Sequence, residues 1–190
     1  MKTVVVVDDE PITRLDICSM LEDLGFVVAG QASDGYDAIE LCRRTNPDVL
    51  LLDVKMPVFD GLTAADEICR NDYAGCVVML TAFTDKDIVS RAIAAGVNGY
   101  IVKPVDPQKL LPTIEVAYEQ ANRLRKLKCE AEKAERKVLE DRAIHKAQKL
   151  LACRQNCTES EAYEEMRKLA MNKRVTVFSI AQAIIGQEAQ

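Results

Sequence analysis

Five short apolar runs, none of them alternating with polar residues, do most to limit what this chain can fold into. They are Val4–Val7, Val27–Val28, Val49–Leu52, Val77–Leu80 and Tyr100–Val102, and they are rich in β-branched side chains. An alternating strand keeps one face in water, whereas an unbroken apolar run is covered on both faces. Between the runs lie segments with helical spacing, at roughly 11–24, 35–45, 61–71 and 86–95. Five such repeats predict an α/β domain with a doubly wound five-stranded parallel sheet. Gly25, Gly75, Gly96 and Gly99 fall where this scheme needs turns.

The texture changes after Pro107. Residues 113–142 contain neither Gly nor Pro and consist almost wholly of Glu, Lys, Arg, Ala and Leu. A long helix is expected there. Ala117, Leu124, Ala131 and Val138 can be drawn at one heptad position, with Gln120, Leu127 and Ala134 at the other. A helix this polar needs support, so a thin dimer seam is favoured over a fully solvated helix stiffened by pairs such as Glu132–Arg136. Three amphipathic segments follow. Val138, Ile144, Ala147, Leu150 and Leu151 mark the first apolar face; Ala162, Met166, Leu169 and Ala170 the second; Val177, Ile180, Ala181, Ile184 and Ile185 the third. Thr158-Glu159-Ser160-Glu161 has the form of a capping box at the start of the second. The expected organisation is an α/β domain over 1–120, a linker helix over 113–140 and a small three-helix all-α domain over 138–186.

Composition narrows the function classes. No apolar run reaches the length of a membrane span, and the apolar start stops at Asp8-Asp9-Glu10, too short for a signal-peptide core. A cytoplasmic protein with no membrane partner is expected. Seven cysteines with no CxxC pair, and a single histidine, His145, indicate neither a disulfide framework nor a zinc site; reduced, mostly buried thiols are expected. The net charge of −5 hides a split. Residues 1–120 carry 10 Lys/Arg against 20 Asp/Glu, while residues 121–190 carry 15 against 10. The second part therefore suits an anionic partner.

The chemistry gathers at the strand ends. Asp8 and Asp9 follow the first run, Asp53 the third, Thr81 the fourth and Lys103 the fifth. Open α/β sheets bind ligands outside the carboxyl ends of their strands. Three carboxylates at close quarters favour a hard cation such as Mg²⁺, and an ammonium and a hydroxyl beside them suit a phosphoryl group. One such carboxylate alone would more simply be a helix cap. The whole set, with the Lys103-Pro104 junction expected to be cis, speaks for a site.

These residues carry a resemblance. Val7-Asp8-Asp9-Glu10, Leu52-Asp53-Val54-Lys55-Met56-Pro57 with Asp60-Gly61, Leu80-Thr81-Ala82 and Lys103-Pro104 resemble the flavodoxin-like receiver domain of bacterial two-component response regulators. The resemblance implies that Asp53 accepts a phosphoryl group from a cognate sensor histidine kinase. It implies that Asp9, Asp53 and the Lys55 carbonyl hold Mg²⁺, with Asp8 assisting through water. Thr81 and Lys103 would contact the phosphoryl oxygens, and Tyr100 would turn inward as a switch when Thr81 moves. The C-terminal segment resembles the ANTAR domain, a three-helix RNA-binding output module, through Ala147, Leu150-Leu151, Ser160-Glu161-Ala162-Tyr163, Leu169-Ala170-Met171, Ile180-Ala181 and Ile184-Ile185. Two positions differ from that family's pattern: Ala147-Gln148-Lys149 stands where Ala-Lys-Gly is common, and Cys157 stands where Leu is usual.

The order of receiver, long helix and ANTAR module is similar to antiterminators of the ethanolamine-utilisation type. It implies binding of structured RNA, as hairpins in transcript leaders, and prevention of termination; the weak Ala-rich seam around residues 113–140 predicts a homodimer favoured by phosphorylation. The RNA-facing candidates are Lys146, Lys149, Arg154, Tyr163, Arg167, Lys168, Lys173 and Arg174. Bases splayed from a loop can stack on Tyr163 while cations hold the phosphates. A DNA-binding regulator is the alternative, but the C-terminal segment has no helix-turn-helix spacing. An enzyme is not expected: an aspartate-based phosphatase would want a second acid at position 55, which is Lys.

Overall fold

The computed structural model describes residues 1–82 and 86–186, and for Lys86 the backbone alone. It divides into two compact units, Met1–Arg125 and Lys126–Gln190.

In the first unit, β1 (Thr3–Val7), β2 (Val27–Ala32), β3 (Val49–Asp53), β4 (Val77–Thr81) and β5 (Gly99–Val102) form one parallel sheet in the order β2-β1-β3-β4-β5. The connecting helices are α1 (Pro11–Asp23), α2 (Gly35–Thr45), α3 (Gly61–Arg70) and α4 (Lys86–Ala94). The three central strands are buried over nearly their whole length, as expected for runs covered on both faces. One face of the sheet, with Val5, Leu50, Leu52 and Met79, packs against Ala38, Cys42, Ala64, Ile68 and Ala92. The other, with Val4, Val6, Leu51 and Leu80, packs against Ile17, Leu21, Leu110 and Ile114.

Two strands lie at the edges, and there the sequence pattern differs. β2 extends from the apolar pair through Ala29, Gly30, Gln31 and Ala32, a strand whose partly exposed positions tolerate a polar residue. Gly25 and Gly96 adopt φ of +85° and +83°, the left-handed turns anticipated for them, while Gly99 is the first residue of β5 and makes no turn. Cys18, Cys42 and Cys76 are buried, but Cys129 and Cys153 are exposed, so the expectation of buried thiols holds for the α/β unit alone.

The helix α5 runs from Pro107 to Gln155. It starts earlier than expected and includes Pro112, which cannot donate to the Gln108 carbonyl. It also passes through residues 138–155, where a separate first helix of the all-α domain was expected. No Gly or Pro falls between residues 138 and 155, and the helix ends where Asn156 takes a left-handed φ of 53°. Ala117 and Ala121 are buried in the α/β core, so Ala117 is no seam residue. Leu124, Leu127, Ala131, Ala134 and Val138 are exposed.

In the second unit, α6 (Glu159–Lys173) and α7 (Val177–Gly186) pack on the C-terminal turns of α5. The core consists of Ala147, Met166, Ala170, Ile180 and Ala181, bordered by Ile144, Leu151, Val177, Ile184 and Ile185. The capping box is present: Thr158 Oγ1 accepts from Glu161 N at 3.3 Å, and the Glu161 carboxylate accepts from Thr158 N at 2.9 Å. That carboxylate is held below the usual glutamate range by its hydrogen bonds from the Thr158 backbone and hydroxyl.

Candidate phosphoryl-acceptor site

Strand order explains why residues distant in sequence meet. β1, β3, β4 and β5 are consecutive neighbours, so their carboxyl ends form one row. Asp8 directly follows β1, Asp53 and Thr81 are the last residues of β3 and β4, and Lys103 directly follows β5. The chain leaves β1 toward β2 on one side and returns to β3 on the other, and ligands settle in the crevice at such a reversal.

The Lys103 ammonium lies between two carboxylates, 2.6 Å from Asp8 Oδ2 and 2.7 Å from Asp53 Oδ2. Asp8 is fully buried and Asp53 is 6% exposed. Asp8 Oδ1 accepts from Glu10 N at 3.0 Å, and Asp53 Oδ1 accepts from Lys55 N at 3.4 Å. Asp8 Oδ2 is paired to Lys103 in charge but receives no hydrogen bond of good geometry. Burial pushes the Asp53 carboxyl up, against the opposing pull of Lys103. Burial works against the Lys103 charge as well, but its hydrogen bond to Asp53 and its close pairing with Asp8 prevail and hold its pKa above the usual lysine value.

Asp9 is exposed and completes the cup: oxygens of Asp8, Asp9 and Asp53 lie within 4.8 Å of one another. Three carboxylates against one ammonium leave excess negative charge. The donor set is all oxygen, and one buried oxygen lacks a hydrogen bond. These features suit a hard divalent cation such as Mg²⁺.

Thr81 is 4% exposed beside this cup. Tyr100 is 53% exposed, its ring outward. A cavity of about 230 Å³ lies between them, lined by Val54, Met79, Thr81, Ile88, Ala92 and Tyr100 among others. The Lys103-Pro104 peptide is cis.

Three supporting features have no signal in residue type alone. Gly61 starts α3 so close to β3 that a Cβ there would sit 1.8 Å from the Asp53 carbonyl oxygen. Arg14, one turn into α1, donates to the Asp8 carbonyl. In the β3–α3 loop, Val58 has φ of 73° and its neighbours close a three-residue turn, with Phe59 N donating to Pro57 O at 2.9 Å. This is the strained γ-turn, here formed around a β-branched residue.

The RNA-facing candidates all belong to the second unit. Lys146, Lys149 and Arg154 are exposed on α5; Tyr163, Arg167, Lys168 and Lys173 are exposed on α6; Arg174 caps α6 in the left-handed region. Arg167 lies 3.6 Å from Glu164, an exposed pair of small energetic weight.

A five-stranded parallel sheet with buried Asp8 and Asp53 and Lys103 at its strand ends has the form that the resemblance to receiver domains implied. Residues 4–115 match the response regulator receiver domain, and residues 132–185 match the ANTAR domain. The chain is 34% identical over 184 residues to the transcriptional regulatory protein PdtaR of Mycobacterium tuberculosis, covering 97% of this chain and 89% of that protein. Over 119 residues it is 37% identical to the response regulator UvrY of Escherichia coli, covering 62% of this chain and 55% of that protein.

Among solved structures, the receiver domain of a modulated diguanylate cyclase from Desulfovibrio desulfuricans matches with a TM-score of 0.60 and 25% identity, covering 64% of this chain and 97% of that one. The receiver domain of the sensor histidine kinase PA1611 from Pseudomonas aeruginosa, with a magnesium ion coordinated in its active-site cleft, matches with a TM-score of 0.56 and 28% identity, covering 62% and 98%. This chain belongs to the response regulators, with a receiver domain followed by an ANTAR domain. This architecture gives it the role of a response regulator with an RNA-binding antiterminator output. Among the described residues no helix is long and apolar enough to cross a membrane.

Proposed function

We propose that Asp53 accepts a phosphoryl group from a sensor histidine kinase and that this switches the ANTAR domain toward hairpins in transcript leaders, preventing termination. The observation that carries the reading is the buried Asp53 carboxylate, 2.7 Å from the Lys103 ammonium and beside Asp8 and Asp9. In the transfer, an Asp53 oxygen attacks phosphorus, the bond to the donor imidazole nitrogen breaks, and the imidazole leaves with the electron pair. Such transfer needs positioning and charge neutralisation more than covalent help from other groups. Lys103 is placed to neutralise a phosphoryl oxygen, and Thr81 to donate its hydroxyl to another. Mg²⁺ held by Asp8, Asp9, Asp53 and the Lys55 carbonyl would supply the remaining positive charge. The magnesium in the cleft of the PA1611 receiver supports that assignment.

Phosphorylation adds charge and acceptor oxygens at Asp53, drawing Thr81 toward them. The cavity between Thr81 and Tyr100 gives the ring space to follow. Dimerisation uses Leu124, Leu127, Ala131, Ala134 and Val138 of α5, which keep heptad spacing and are exposed. Two ANTAR modules then engage paired hairpins by effective concentration. The protein acts in the cytoplasm, as transcript leaders require, and performs no other catalysis.

Acetyl phosphate with Mg²⁺ should add one phosphoryl group, read by intact mass. Equal gain by Asp53→Asn would refute the assignment of the acceptor. Unchanged sedimentation after phosphorylation would refute the dimer.

A further inference from the structure

The second unit carries its charges and its exposed apolar side chains in an order that the bundle's packing does not require. Along α6 the first seven residues hold Glu159, Glu161, Glu164 and Glu165 and no cation. From residue 167 to the cap the helix holds Arg167, Lys168, Lys173 and Arg174 and no carboxylate. An RNA backbone is repelled by the first half and attracted by the second, so only the C-terminal half and the turn after it suit a polyanion.

Within that half Met171 is the apolar side chain least engaged by the bundle, more exposed than Leu169 at 38%. Met166 and Ala170 fill the core, at 0% and 4% exposure, and account for the inward face. Met171, one residue on, is 71% exposed. A single exposed apolar residue is ordinary. This one, however, stands in register. Tyr163, Arg167 and Met171 follow each other at i, i+4 and i+8, with Arg174 a further turn on, which puts an aromatic, a cation, a thioether and a second cation along one stripe. Val175, 45% exposed, continues it into the turn before α7.

Phosphate contacts position a nucleic acid, and contacts to bases specify it. Arg167 and Arg174 serve the first need. Unstacked loop bases require flat or deformable apolar surfaces for the second. Methionine, unbranched and polarisable, adapts to such surfaces and makes favourable sulfur contacts with aromatic rings.

We infer that Met171 is a base-contacting residue of the RNA site: a loop base packs on its thioether, on the stripe that Tyr163 begins and Arg167 and Arg174 flank. The occupant is RNA, because from Arg167 onward the stripe carries cations and no carboxylate, and only Tyr163 lies in the acidic half of the same helix. This inference rests on the reading that the ANTAR domain binds hairpin loops, and it adds which residue senses the bases.

The test uses the full-length protein, phosphorylated with acetyl phosphate and Mg²⁺. The probe is a synthetic two-hairpin RNA with randomised loops, and the bound fraction is sequenced. The wild-type protein is expected to enrich particular loop sequences. Met171→Ala should lose that enrichment and about 10-fold in affinity, of the order of one stacked base. Its salt dependence should stay that of the wild type, because no phosphate contact is removed. Arg167→Ala should do the reverse, lowering the salt slope while keeping the loop preference. The thermal unfolding of both variants should match the wild type.

Wild-type enrichment retained in Met171→Ala overturns the inference and leaves RNA binding standing. A Met171→Ala protein that binds RNA normally but fails to self-associate in sedimentation also overturns it, and makes the stripe a contact between copies. Absence of any RNA binding by the wild type overturns the proposed function together with it.

Discussion

The receiver unit and the ANTAR unit spend their apolar residues differently, and the difference decides where each keeps its chemistry. The receiver buries Leu50, Leu51, Leu52, Ile68, Met79 and Leu80 at 1% exposure or less around a sheet. That rigid frame holds Asp8, Asp53 and Lys103 within hydrogen-bonding distance although they are far apart in sequence. The ANTAR unit has Met166 and Ile180 with three alanines at its centre, a core too small to hold a buried polar site. Its candidates lie outward along helix faces, where shape and charge meet a partner. A buried site tolerates almost no change, whereas a surface site changes affinity by increments.

The largest effect should come from Lys103→Ala. Removing the ammonium leaves Asp8 and Asp53 facing one another without compensation, at a cost of about 3–5 kcal/mol. Calorimetry should show the receiver transition falling well below that of the wild type and partly recovering when Mg²⁺ is added. An unchanged transition would mean that the acidic cup is not strained without its lysine.

Met166→Ala should rank next. It empties the largest fully buried position of the ANTAR unit at a cost of about 2–5 kcal/mol, comparable with what so small a core supplies. Hydrogen exchange should show α6 and α7 opening while β1, β3 and β4 stay protected. Loss of protection in the sheet as well would erase the contrast between the units.

Val58→Gly should move the receiver the other way. Glycine accepts the positive φ that valine does not, so a gain of about 1 kcal/mol is expected in denaturant unfolding. A loss would show that the 90% exposed Val58 side chain contributes to the fold in some other way.

The smallest effect concerns acid. The Glu161 carboxylate has a depressed pKa through its bonds to Thr158, so its contribution is complete above the ordinary glutamate range. It is lost as pH falls through the depressed value. Glu161→Gln keeps a neutral cap and should flatten the acid limb of helicity measured by circular dichroism. An acid limb identical to that of the wild type would assign it elsewhere.

Much of this was legible in the sequence because the signals were redundant. Each buried strand was an unbroken apolar run, and each site residue stood at the end of one, so strand order alone brought Asp8, Asp53, Thr81 and Lys103 together. The errors fell where one pattern serves two structures. Ala117 keeps the spacing of Leu124 and Val138, but a helical repeat does not say whether its partner is the same domain or a second chain. The linker helix and the first helix of the all-α domain, read as two overlapping elements, are one continuous helix, because a helix can change apolar faces without stopping. Arg14 and Val58 were invisible as site supports, and Gly61 was legible only as part of the Asp60-Gly61 match, since their roles depend on backbone approach and on no recurring spacing.

The central claim joins the two units: phosphorylation of the receiver controls RNA binding by the ANTAR domain. It is tested most directly by titrating a two-hairpin leader RNA with the full-length protein, with and without acetyl phosphate and Mg²⁺, alongside Asp53→Asn. The wild type should gain affinity by about 10-fold or more on phosphorylation, within the usual range of coupling between sites, and Asp53→Asn should gain none. Equal affinity in all four conditions would contradict the account.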